Sequence, residues 1–377
     1  MKKIFLIIIA FILASVNVSA QAQRPWWFTL EQGKNLFRSG FYGNAMMAFE
    51  DARRGREDRF TRLEQDFIFF LSTPEVRRLG DSLELIEWYI ADRRNGDAAA
   101  ILSEVFYYTP RQSFADSVLK VLDEFERLKA YPEAEYWLGE TYRVEGEPGL
   151  ALRQYRRALN AKDLLETPGF DVEILYKIAS MHGLRQEYQE MEKILLEILR
   201  SRSPIPSGRE SIYWVSEGGS INAAMFRILE NDGIDHFIRL YRNDDIRLER
   251  AHRRLGNFYY ATSRHGVATE HLLFSFMIQN SLLVKEIRRQ HYDFEFSTLA
   301  NLMSALERRD DLKTWMTEVQ YYRTAYYLGA ALSAFGKPVP ARQIWNFLAA
   351  HPEAGEWQEK SRSQLRSPFI ERAVELP

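Results

Sequence analysis

Four groups of side chains in this sequence could do chemistry. Arg250, Arg253, Arg254 and Asn257 recur every three to four residues, the spacing that puts side chains on one side of a helix. Guanidinium groups placed that way can clamp a carboxylate or an acidic peptide; with Asp245 and Glu249 beside them they also suit a salt-bridged, solvated face. Tyr136, Trp137, Glu140 and Arg143, with Glu133, form a second group, and Arg323, Tyr326 and Tyr327 a third. Aromatics mixed with arginine favour protein contacts, although Trp137 and Tyr326 are also of the type that packs between neighbouring helices. The fourth group is Arg209-Glu210-Ser211. A carboxyl there, if its pKa were raised, could protonate a glycosidic oxygen. Ser207 followed three residues later by Glu210 also makes a capping box at a helix start.

Other chemistry is excluded by what the sequence lacks. There is no cysteine, so no disulfide, thiolate metal site, cysteine nucleophile or acyl-carrying cysteine is available. The seven histidines are scattered. No two stand four apart, and His265 and His271 are six apart across a predicted turn, so no metal site is expected. His182 occupies a position where packing is the expectation. Phe335-Gly336-Lys337 lacks the upstream glycine of a phosphate loop and is followed by Pro338, and Gly218-Gly219 follows no strand. No cofactor is expected. A formal net charge of −2 over 377 residues gives no bulk attraction to nucleic acid.

The elements that must position these groups are helical. Residues 1–22 have the form of a secretory leader: Lys2 and Lys3, an apolar run from Ile4 to Ala14, then small-x-small sites ending at Ala20 and Ala22. The run is shorter than the ~20 residues a spanning helix needs, and no second run approaches that length, so no transmembrane segment is expected in the mature chain. Beyond the leader a ladder of small and large residues repeats with identical steps. Its copies are Gly33, Leu36, Gly40, Ala45, Phe49, Ala52; Gly139, Tyr142, Gly146, Ala151, Tyr155, Ala158; Gly256, Tyr259, Ser263, Ala268, Leu272, Ser275; and Gly329, Leu332, Gly336, Ala341, Trp345, Leu348. The ladder predicts a helical hairpin: a small residue where two helices approach, a turn at the second small residue, and a small–large–small stripe on the second helix. Residues 171–200, 82–108 (turning at Asn95-Gly96), 221–243 (broken at Asp232-Gly233) and 282–320 keep helical periodicity without the ladder. Separations of 106 and 73 residues between ladder glycines are near three and two units of ~34. About eight hairpins are expected, in two halves, 24–200 and 221–377, joined by a loop at 201–220 rich in Pro, Gly and Ser. A capping helix with a frayed end is expected over 353–376.

At the Leu-Gly-x-x-Tyr, Gly, Ala and aromatic positions of the ladder the sequence resembles the tetratricopeptide repeat (TPR) family. The resemblance implies an all-α fold, a right-handed superhelical stack of helix-turn-helix hairpins whose first helices line a concave groove. It also implies that Arg250, Arg253, Arg254 and Asn257, Tyr136, Trp137, Glu140 and Arg143, and Arg323, Tyr326 and Tyr327 face that groove. The Arg253/Asn257 pair is similar to the start of the carboxylate clamp of chaperone-binding members. The expectation that follows is an exported, non-catalytic scaffold or adaptor of the bacterial cell envelope, periplasmic or secreted, without a lipid anchor, holding a protein partner. Two alternatives stand beside it. Glu210 before Ser211 resembles the catalytic position of soluble lytic transglycosylases, which would make the chain a peptidoglycan-cleaving enzyme. A groove that took a small ligand would make it an accessory of a transporter.

Overall fold

A computed structural model describes residues 25–71, 82–101 (except 93, 95 and 99), 123–202 and 220–371. The expected leader, Arg209-Glu210-Ser211, Gly218-Gly219 and all but the edges of the expected loop at 201–220 lie outside the described residues. So do residues 102–108 of the hairpin expected over 82–108. The described residues are helical, with no strand among them, and the helices pack in neighbouring pairs. They divide into two compact units, one reaching Ile174 and the other beginning at Leu175.

In the first unit α1 (Trp26–Arg38) pairs with α2 (Tyr42–Leu71), α3 (Ser82–Ala91) lies against α2, and α4 (Pro132–Val144) pairs with α5 (Pro148–Asn160). Helix α6 (Phe170–Leu184) contains the division between the units. The second unit continues with α7 (Tyr188–Arg202), α8 (Ser220–Leu240), α9 (Ile246–Ala261), α10 (His265–Gln290), α11 (Leu299–Leu306), α12 (Asp310–Glu318), α13 (Tyr321–Ala334), α14 (Pro338–Ala350) and α15 (Glu356–Arg366). The division precedes the segment 201–220 because α7 packs against α9 and so belongs with the hairpins that follow it.

The ladder has a direct structural meaning. A Cβ added to Gly33 would stand 2.5 Å from the Phe49 ring; the same atom on Gly139, Gly256 or Gly329 would stand 2.6 Å from Tyr155, Leu272 or Trp345. The first small residue therefore makes room for the large residue sixteen positions on, and each of those large side chains is fully buried. The turn position is left-handed in every copy, at Gly40, Gly146, Ser263 and Gly336. The N–H of the next residue reaches back to the carbonyl of Leu36, Tyr142, Tyr259 or Leu332 at 2.8–3.0 Å. This is a Schellman turn, which closes the first helix and starts the second within three residues. The α6/α7 hairpin has the same turn, with Gln186 at φ 59° and Glu187 N–H bonded to the His182 carbonyl. It is thus a fifth copy of the hairpin with none of the ladder's glycines.

Counting in units of ~34 places further hairpins between the ladder copies, and here the packing differs. Trp137 of α4 stacks on Phe49 of α2 at 5.9 Å and meets Phe37 edge-on at 5.4 Å. The hairpin at Gly33 therefore lies directly on the hairpin at Gly139. Likewise α10 packs directly on α13. Two second helices are long: α2 continues its buried stripe through Phe60, Leu63 and Phe67, and α10 runs to Gln290. The expected pair at 282–320 is correspondingly reduced to α11 and α12, and the break expected at Asp232-Gly233 is present: Gly233, at φ 82° and ψ 174°, is non-helical and divides α8 into two helices. The 353–376 segment opens with a helix, α15, but residues 367–371 are docked rather than frayed.

Candidate functional site

In the second unit an aromatic cluster is shared by α9, α13 and α15. Tyr260 of α9 lies 5.5 Å from Tyr327 of α13; Tyr326 and Tyr327 lie 5.3 and 5.8 Å from Trp357 of α15. Lys360 sits over the Trp357 ring at 4.3 Å and Arg323 over Tyr327 at 5.7 Å.

A non-helical segment of the same chain, Ser367–Glu371, crosses this cluster. Gln364, fully buried, accepts the Phe369 N–H at 2.9 Å and donates to the Phe369 carbonyl at 3.0 Å and to the Tyr326 hydroxyl at 3.1 Å. The Glu371 N–H donates to the Tyr260 hydroxyl at 3.3 Å. The Glu371 carboxylate lies 4.0 Å from Lys360 Nζ. Burial, with that carboxylate nearby, pushes the Tyr326 and Tyr327 hydroxyls well above the ordinary tyrosine range, and burial pushes Tyr260 up to about 12. All three remain neutral hydrogen-bonding groups at physiological pH. The Phe369 and Ile370 side chains point outward, about half exposed. The cluster thus holds the backbone of a non-helical segment and one carboxylate, not a particular apolar side chain.

Of the candidates named from the sequence, Arg323, Tyr326 and Tyr327 come together here. Arg250, Arg253, Arg254 and Asn257 do share α9, but they are engaged within the unit. Arg250 stacks on Tyr176 at 4.6 Å, and Arg254 bonds Ser180 Oγ at 2.9 Å and the Tyr176 carbonyl at 3.4 Å. Arg253 bonds Glu249 and Gln320, both at 2.9 Å. Asn257 is buried. Glu249 is itself buried and accepts from Ser275 at 2.9 Å and Gln279 at 2.7 Å, so α9, α10 and the start of α13 share one polar network. In the first unit Tyr136 packs on Phe170 at 4.8 Å, Trp137 on Phe49, and Glu140 accepts from Tyr155 and from Arg143.

Sequence reasoning missed Tyr260, Trp357, Lys360 and Gln364. The available signal was the repetition of Tyr259-Tyr260 in Tyr326-Tyr327. It also missed a buried histidine pair: His252 and His271 approach through Nδ1 at 3.0 Å, His252 stacked on Phe274 and His271 beside Tyr259. Burial pushes His271 down to about 4 and His252 well below its usual range. Among the described residues no group of three or more His, Cys, Asp or Glu is arranged to hold a metal, and no helix is long and apolar enough to cross a membrane.

No family model matches the chain. It is 24% identical over 339 residues to an uncharacterized protein of Treponema pallidum, covering 90% of this chain and 89% of that one. It is 21% identical over 257 residues to an uncharacterized protein of Borreliella burgdorferi, covering 64% and 79%. Among solved structures, the TPR domain of P58(IPK) aligns over 92% of this chain and 99% of that chain, at 14% identity and a TM-score of 0.18.

Proposed function

We propose that this chain is an exported, non-catalytic TPR-like scaffold or adaptor of the bacterial cell envelope, and that it holds an extended, acidic segment of a partner protein on the face of α9, α13 and α15. The observation that carries the reading is the docking of Ser367–Glu371, whose backbone is held by Gln364 and Tyr260 and whose carboxylate lies near Lys360. A surface that accepts backbone groups and a carboxylate within the chain has the chemistry to accept them from another protein. The surrounding tyrosines, tryptophan and arginine are the residue types that dominate protein contacts. Export rests on Lys2, Lys3, the apolar run to Ala14 and the small residues at Ala20 and Ala22.

The test is site-specific photocrosslinking in intact cells. A crosslinking side chain replaces Phe369 or Lys360 in one set of strains and exposed Asp310, away from the face, in another. The expected result is one reproducible protein adduct from the face positions, absent from position 310 and lost with Tyr327→Ala. Identical adducts from all positions, or none from the face, would refute the reading.

A further inference from the structure

A second feature of the later unit lies away from that face. A cavity of about 250 Å³ opens between the end of α8, the end of α10 and the loop before α11, lined by His236, Arg239, Arg242, Arg288, Glu295 and Phe296. Its charge is lopsided, with three arginines and a histidine against one carboxylate. Among the described residues none of the three arginines has an ion-pair partner. The nearby acids are engaged elsewhere: Asp235 accepts the Leu299 N–H at 2.7 Å, Asp244 pairs with Lys285, and Glu286 pairs with Arg289 at 2.7 Å and Arg309 at 3.9 Å.

Arg239 and Arg288 sit in the last turns of α8 and α10, where positive charge offsets the helix dipole. Arg242 is different. It lies beyond the end of α8, with its guanidinium over the Phe296 ring at 5.4 Å, and its Nη1 is buried without a hydrogen-bond partner. A buried, unsatisfied cationic donor facing a second arginine is a costly arrangement, and burial together with Arg288 lowers the Arg242 pKa. An oxyanion removes both costs at once.

We propose that this cavity binds a phosphate-class oxyanion, with half-buried Arg242 as the anchor through its buried Nη1, Arg239 and Arg288 completing the charge, and His236 beside them. The volume is just below the roughly 300–1,000 Å³ of ordinary small-molecule pockets, so it suits a phosphate group and its water rather than a nucleotide. The same chemistry is offered by a free phosphate and by a phospholipid headgroup.

The experiment measures two things on the purified chain: its melting temperature and calorimetric affinity in inorganic phosphate against sodium chloride of equal ionic strength, and its co-flotation with phosphatidylcholine vesicles with or without phosphatidylglycerol. Phosphate is expected to raise the melting temperature beyond the chloride control. Arg242→Gln and Arg288→Gln are each expected to weaken binding about tenfold or more, the loss of one charged hydrogen bond, and Glu295→Gln to tighten it. Arg288 is exposed, so its variant answers the question even if Arg242→Gln fails to fold. Binding to phosphatidylglycerol vesicles that depends on Arg288, without a free-phosphate effect, assigns the site to a headgroup. Free-phosphate binding without a vesicle preference assigns it to a soluble ligand. No binding beyond chloride in either arm, or binding unchanged in Arg288→Gln, overturns the proposal.

Discussion

The buried pair His252–His271 should make the second unit acid-sensitive in a defined window. Two Nδ1 atoms 3.0 Å apart share one proton, so the pair is stable when at least one ring is neutral. The groups around it are Tyr259, neutral because burial raises its hydroxyl, and Glu192 on α7, which accepts from Tyr259 at 2.7 Å and Arg264 at 3.2 Å and whose charge only partly opposes the downward shift of His271. In the unfolded chain both histidines titrate near 6.5. In the folded chain His271 titrates at about 4 and His252 lower than normal. Between these values the unfolded state binds more protons, so the contribution is intact above pH 6.5 and is lost as pH falls towards 4. For His271 alone, a shift from 6.5 to about 4 corresponds to about 2–3 kcal/mol lost between pH 7.5 and pH 4.5, and His252 adds to it in the same direction. The assay is urea unfolding followed by circular dichroism at both pH values, for the natural chain and for His252→Asn/His271→Asn, which keeps donors and acceptors near the Nδ1 positions but cannot be protonated. Carboxylates titrate alike in both proteins, so the difference isolates the pair. The natural chain should lose at least about 2–3 kcal/mol more than the double variant; parallel losses would refute the reasoning.

Four further outcomes follow from the packing. Gly139→Ala places a methyl 2.6 Å from the Tyr155 ring and should cost about 1–2 kcal/mol in urea unfolding, overpacking exceeding the gain in helix propensity. Gly55→Ala, where the nearest atom is 3.6 Å away, should instead be neutral or stabilising by up to about 1 kcal/mol. Gln186→Gly relieves a left-handed non-glycine residue at a Schellman turn and should raise stability by about 0.5–1 kcal/mol, read as a higher urea midpoint. Glu249→Ala leaves Arg253, Ser275 and Gln279 without their shared acceptor and should cost about 3–5 kcal/mol, with faster hydrogen exchange in α9 and α10.

The hairpins were legible because their determinants are local. The turn needs a residue that tolerates positive φ, the approach needs a missing side chain, and both lie within twenty residues of each other. The α6/α7 hairpin shows the limit: Gln186 adopts the same turn at φ 59°, yet glutamine carries no sequence signal for it. Which hairpin neighbours which was not legible. Periodic counting assumes every unit enters the same row, whereas α2 and α10 are extended and the shorter pair α11/α12 does not separate α10 from α13. The charged side of α9 also misled. Arg253 looks solvent-facing beside Glu249, but its second partner, Gln320, stands 67 residues away at the start of α13. No pattern in α9 alone could announce that neighbour.

The same distinction bears on where the proposed recognition would lie. A Schellman turn and a small–large contact fix each hairpin from within, so these features repeat. What the first helix presents to its neighbour is free to differ, and it does. In α4 the presented residues pack against α2 and α5; in α9 the arginines and Glu249 are taken up by α6, α10 and the approach to α13. After α13 and α14 comes the single helix α15 rather than another Schellman-turned hairpin. The tyrosines of α9 and α13 therefore meet Trp357, Gln364 and a non-helical backbone instead of a complete pair of helices. A non-helical segment supplies unpaired N–H and C=O groups that a helix keeps to itself, and here Gln364 and Tyr260 answer those of Phe369 and Glu371. If recognition resides there, Gln364→Ala should free Ser367–Glu371 from the surface, raise its proteolytic susceptibility and increase crosslinking of the exposed face to a partner, while leaving the urea midpoint of the first unit unchanged. A variant that loosened the segment without altering crosslinking would separate the docked segment from partner binding and remove its support for the proposed function.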